Sequence, residues 1–161
     1  ELGSGNGFLS VCLLALLRDY NCDIQLVVTD TKEHLGLMQQ TLDANKHVVT
    51  KENHEMVVAE YTWGQETEND LLLEDSFDVI LGSDVAYRDD LHAPLIAALE
   101  RFFSRSTKTI AWIGVTMNDT KPIFFESLIQ KGFVYDRLAD ALMTQEFRNH
   151  NFGIFAIKQR P

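Results

Sequence analysis

An α/β fold, with a doubly wound and mostly parallel sheet that closes on an antiparallel terminal strand, is predicted by three features of this 161-residue chain. Strand-like and helix-like stretches alternate along it. A glycine-rich turn, Glu1-Leu2-Gly3-Ser4-Gly5-Asn6-Gly7, runs straight into an apolar helix, and two strand-like runs end the sequence with no helical stripe between them. Hydrophobic residues make up 45% of the chain, ordinary for the core of one domain of this size.

The elements follow in order. Phe8 to Arg18 is apolar nearly all round and too short to cross a bilayer, so it reads as a helix buried against a sheet. Ile24 to Thr29 is a β-branched strand that ends on Asp30. Leu35, Met38, Leu42 and Asn45 recur at spacings of three and four, the stripe of an amphipathic helix. His54 to Ala59 and Phe77 to Gly82 are the next two strands. Asp89 and Asp90 charge the start of a helix that tolerates Pro94 in its first turns and buries Leu95, Leu99, Phe102 and Phe103. Thr109 to Val115 is a strand, Pro122 to Lys131 a helix, and Gly132 ends that helix. Phe133 to Leu138 and Phe152 to Lys158 pair antiparallel at one edge. In such a sheet ligands bind beyond the carboxyl ends of the strands, so the informative polar residues should share one rim.

The glycine turn is the first of them. Three alternating glycines let backbone approach a ligand closely, and the following helix turns free N–H groups towards the loop. The spacing is G-x-G-x-G rather than the G-x-G-x-x-G of dinucleotide sites, and an acid, Glu1, stands two residues ahead of Gly3. A carboxylate there repels phosphate and welcomes a cation. S-adenosylmethionine (SAM), with a sulfonium, an amino group and no phosphate, fits better than NAD. A loop of this kind follows a parallel strand, and nothing precedes Glu1 and Leu2 in this chain. The expectation is therefore a single domain over 1–161, incomplete at its N-terminal edge, with the first strand truncated to a stump.

Charge and cysteines bound the partners. Fourteen Lys and Arg stand against 24 Asp and Glu, a formal net charge of −10, which disfavours a nucleic-acid backbone as partner. Cys12 and Cys22 form no C-x-x-C pair and read as free thiols of a reducing compartment. His34, His47, His54, His92 and His150 fall at no zinc-like spacing, so no metal is expected.

Further acids and aromatics fall at strand ends. Asp30 lies 23 residues after Gly7, where a carboxylate can accept both ribose hydroxyls of an adenosyl ligand, unless it caps the helix that begins at Lys32. Trp63, in Tyr61-Thr62-Trp63-Gly64, could pack an adenine face or simply belong to the core. Gly82-Ser83-Asp84-Val85-Ala86-Tyr87 places a carboxylate and, three residues on, a phenol directly after a strand, with a helix cap as the plainer reading of Asp84.

These motifs together resemble the class I, seven-β-strand (Rossmann-like) SAM-dependent methyltransferases. Within them the chain is similar to the family 16 protein lysine methyltransferases, which carry a D/E-x-x-Y motif after the fourth strand. Asp84-Val85-Ala86-Tyr87 matches that motif, Glu1 to Gly7 the glycine loop, Val28-Thr29-Asp30 the ribose acid, and Trp63-Gly64 the W-G pair. The resemblance implies SAM as cofactor, held by Glu1, Gly3, Gly5, Gly7, Asp30, Trp63 and Ser83. It implies catalysis at Asp84 and Tyr87, with a lysine of a specific protein as acceptor. A monomer of the cytoplasm and also of the nucleus, without membrane attachment, is expected. Other readings are a methyltransferase for histidine, a small molecule or nucleic acid, and a non-catalytic scaffold. Nucleic-acid amino-methyltransferases normally carry an Asn/Asp-Pro-Pro-Tyr/Phe stack where this chain has Ser83 to Tyr87.

Overall fold

Residues 1–73, 76–148 and 151–160 are described by a computed structural model. The elements are α1 (Phe8–Leu17), β1 (Ile24–Asp30), α2 (Lys32–Ala44), α3 (Lys46–Val49), β2 (His54–Glu60), α4 (Asp70–Leu73), β3 (Val79–Ser83), α5 (Asp89–Phe103), β4 (Ile110–Thr116), α6 (Pro122–Gln130), β5 (Phe133–Arg137) and β6 (Phe152–Gln159). Two short 3₁₀ turns, Asp140–Leu142 and Gln145–Phe147, lie between β5 and β6. The chain divides into two compact units, Glu1–Thr62 with Thr67–Leu73, and Trp63–Glu66 with Glu74–Pro161. His150 lies outside the described residues. Among those described, no helix is long and apolar enough to cross a membrane.

In the first unit β1 and β2 pair in parallel from Ile24↔His54 to Asp30↔Glu60. Leu2 adds a single parallel bridge to Thr29, and the Thr29 N–H donates to the Glu1 carbonyl at 2.9 Å, so the residues ahead of the glycine turn run alongside β1. The core joins Val11 and Leu14 of α1, Val49 of α3 and the half-buried Ile24, Leu26, Leu42 and Met56. Helix α1 is not buried all round. It buries Ser10, Val11 and Leu14, whereas Phe8, Leu9 and Leu16 are exposed, because one packing layer covers only one stripe of a helix.

In the second unit the strand order is β3-β4-β6-β5. Strands β3 and β4 are parallel, β6 runs antiparallel to both β4 and β5, and β5 is left at the edge. Burial alternates along β4 and most of β6, the period-two signature of strands with unequal faces. Helix α5 buries His92, Leu95, Ile96, Ala98, Leu99, Phe102 and Phe103. Phe125 lies 4.7 Å from Phe155 and 5.0 Å from Tyr135 between ring centroids, and Phe103 packs edge-on against Phe133. β3 begins at Val79, two residues later than its sequence suggests. Phe77 instead packs edge-on against Phe102, and its carbonyl accepts the Thr109 hydroxyl at 2.6 Å.

Candidate functional site

The glycine turn and the acid at the end of β1 are brought together in the first unit. Gly3, Gly5 and Gly7 all adopt left-handed backbone, with φ of 63°, 61° and 78°. A Cβ on Gly5 would meet no protein atom within 4 Å, so the conformation and not crowding by the protein requires glycine there. Among the first N–H groups of α1, that of Phe8 is taken by the Asn6 side chain at 3.1 Å. The Gly5 N–H donates to Asp30 Oδ2 at 2.7 Å, and Asp30 Oδ1 accepts the Thr31 N–H at 2.7 Å and lies 3.0 Å from His34 Nδ1. The Asp30 side chain is only 13% exposed. It caps no helix, since the N-cap of α2 is Thr31. His34, four residues on, is a member of this cluster that sequence reading missed. Its i, i+4 spacing from Asp30 is the signal that could have found it.

Glu1 turns its carboxylate onto the start of α1, where it accepts the Ser10 hydroxyl and backbone N–H. Burial raises its pKa above the ordinary carboxyl value, and these hydrogen bonds oppose the shift. The polar side chains gathered here are two carboxylates, hydroxyls and an imidazole, with no lysine or arginine among the contacts just described. That set suits a ligand with an amino group and hydroxyls and no phosphate, which fits SAM.

The second unit presents the other group of residues. Trp63 is half-buried, three residues beyond β2. At the end of β3, Asp84 has φ 54°, left-handed backbone without being glycine, a conformation that costs of order 1–3 kcal/mol. Three contacts hold it there. The Asp84 N–H donates to the Gly114 carbonyl at 2.8 Å, the Thr116 N–H donates to Asp84 Oδ1 at 3.3 Å, and Ser83 pairs with Gly114 at the end of the β3–β4 ladder. The next two residues are the anchor, Val85 at 3% and Ala86 at 0% exposure. Gly82 makes room for them, because a Cβ on it would lie 2.9 Å from both Val85 Cγ2 and Ile113 Cδ1. Ser83, Asp84 and Tyr87 are exposed. The D-x-x-Y spacing thus has a local cause: the two central residues plug the core and the outer two face solvent. Asp84 caps no helix, as the N-cap of α5 is Arg88.

A buried histidine completes this turn. His92 of α5 is 5% exposed, and its Nε2 lies 2.9 Å from the Ala86 carbonyl. Sequence reading passed over it as a lone histidine, although it falls on the α5 stripe three and seven residues ahead of Leu95 and Leu99.

Comparison with known proteins bears on the fold and the family. Solved structures with the same fold include a precorrin-6y C5,15-methyltransferase from Geobacter metallireducens (TM-score 0.59, 16% identity, 99% of this chain and 77% of that one). A TehB-like SAM-dependent methyltransferase from Corynebacterium glutamicum is similar (TM-score 0.61, 16% identity, 99% and 78%). So is the O-methyltransferase NcsB1 of neocarzinostatin biosynthesis, solved in complex with SAM (TM-score 0.62, 13% identity, 98% and 47%). The fold is therefore of the Rossmann-like methyltransferase class. Within that class, the family model described as lysine methyltransferase matches residues 1–131, and the chain belongs to that family. It is 34% identical over 109 residues to the protein N-lysine methyltransferase METTL21A of Mus musculus and 28% identical over 107 residues to that of Danio rerio. Each match takes in 66% of this chain and 44% of the relative, so the chain spans less than half the length of these relatives.

Proposed function

We propose that this chain is the core of a SAM-dependent protein lysine N-methyltransferase, and that its two units serve one methyltransferase domain. Family membership and the names of the relatives support the reaction class. The observation that carries the site assignment is the strained, solvent-facing Asp84, held over a buried Val85-Ala86 plug at the carboxyl end of β3.

SAM, when bound, supplies a methyl group on a sulfonium. We assign its retention to Glu1, Gly3, Gly5, Gly7, Asp30, Trp63 and Ser83. The ionised Glu1 carboxylate would attract the amino group, Asp30 would accept ribose hydroxyls, and the Trp63 indole would cover a base.

The acceptor lysine arrives protonated, with an ordinary pKa near 10.4, and must lose that proton before its nitrogen can attack. With Oδ1 of Asp84 anchored on Thr116, the solvent-facing Oδ2 is the atom assigned to orient the amine while the ammonium proton passes to water. Tyr87, half-exposed, walls the approach and offers a ring face to an alkylated ammonium. The net charge of −10 favours a cationic side chain over a phosphate backbone. Cys12 and Cys22 are both free thiols, which supports a reducing, cytoplasmic or nuclear location. The test is transfer of labelled methyl from SAM to protein by the intact enzyme and by Asp84→Ala. The label should reach a lysine only with the parent, and equal labelling by both would remove Asp84 from the site.

A further inference from the structure

We propose that His92 is a positioning residue for methyl transfer: its Nε2–H holds the Ala86 carbonyl and thereby fixes the turn from which Asp84 and Tyr87 project. The inference rests on the function proposed above for that turn.

A carbonyl oxygen only accepts, so the 2.9 Å contact between His92 Nε2 and the Ala86 oxygen requires the proton on Nε2. Ala86 is fully buried, and a buried carbonyl left without a donor loses its hydration with nothing in return. Residues 84 to 88 lie between β3 and α5 and belong to neither, so side chains must do there what a ladder does elsewhere. The ring is itself held, tilted against Phe124 of α6 at 5.1 Å between centroids. The exposed Asp89–Lys121 ion pair ties the start of α5 to the residue ahead of α6. On one flank of the turn Asp84 is fixed to β4 through Gly114 and Thr116, and on the other Ala86 is fixed to α5 through His92. Losing the second flank would leave the left-handed Asp84 conformation to relax, because such strain persists only where the surroundings over-determine it. Core packing alone would be served equally well by an aromatic ring without a donor.

The test compares His92→Phe, which keeps the ring against Phe124 and lacks the donor, with His92→Gln, which keeps a donor, both in the intact protein. Three quantities are read: amide exchange protection of residues 84–88, SAM affinity by calorimetry, and the initial rate of labelled methyl transfer to the protein acceptor that the parent labels. His92→Phe should lose tenfold or more in protection at the turn and in rate, with SAM affinity within about twofold of the parent. His92→Gln should recover most of both. Parent-like protection in His92→Phe, or no advantage of Gln over Phe, would overturn the proposal. If His92→Phe fails to fold, long-range ¹H–¹⁵N spectra of the parent decide instead, since an Nε2 without a proton cannot make this bond. Asp84→Ala retaining the full transfer rate would refute the site reading while the exchange and tautomer measurements still judge His92, so the two failures are distinguishable.

Discussion

The glycine turn of the first unit and the Asp84 turn of the second solve opposite problems. At Gly3, Gly5 and Gly7, where the proposed function makes the backbone itself the binding surface, left-handed φ is reached by residues for which it costs little. At Asp84 the backbone takes the same conformation against its preference, and under the proposed function it is a side chain that is presented there. Neighbours supply the difference: Gly114 and Thr116 hold Asp84, while Val85 and Ala86 sink into the core. The comparison teaches that one turn owes its conformation to composition and the other to context.

Removing the presented side chain should have the largest effect. Asp84→Ala is expected to lower methyl transfer by about 100-fold or more, the range for groups that handle a proton or position a reactant, with SAM affinity within several-fold of the parent. Kinetics beside calorimetry check both halves, and a matching loss of SAM affinity would break the division of labour. Gly5→Val should do the reverse. A β-branched residue at φ 61° costs roughly 1–2 kcal/mol, so SAM affinity should fall about tenfold or more, and unaltered affinity would mean the loop is misassigned.

Stability measurements sharpen the comparison further. Gly82→Ala forces a methyl against Val85 and Ile113 and should cost about 1–3 kcal/mol in denaturant unfolding. Asp84→Gly should unfold about 1 kcal/mol less readily than Asp84→Ala, since only glycine relieves the left-handed strain, yet both should be inactive. Equal stabilities would argue that the conformation is unstrained. The smallest effect is a pH dependence. Burial raises the Glu1 pKa, so the folded state holds that proton more tightly than the unfolded chain does. The contribution of this group to stability is therefore fully present below the ordinary carboxyl pKa and is lost as pH rises through the raised one. Glu1→Gln should flatten that part of a melting-temperature profile.

Much of the fold was legible because period-two and period-3.6 patterns survive in single elements. The strand Ile24–Asp30, the stripe of α5 and the glycine that ends α6 stand where those patterns put them. Helices α3 and α4 were not foreseen, since four residues are too few to display a period. Helix α1 misled, because an all-apolar composition does not say which stripe will find a partner. In the site, the glycine turn declared its conformation through residue type. The left-handed Asp84 did not, because aspartate is compatible with many conformations and the contacts that force this one come from β4, some 30 residues on. His92 was hidden for the same reason: the carbonyl it holds belongs to the main chain and leaves no mark in sequence.

The central claim is that this chain directs a methyl group from SAM to a lysine. Its most direct test incubates the intact protein with methyl-labelled SAM and a cell extract, then locates the label by mass spectrometry. Label on the side-chain nitrogen of lysine in a protein, absent when Asp84→Ala replaces the parent, is the predicted result; label in RNA, in small molecules or on another side chain would contradict it.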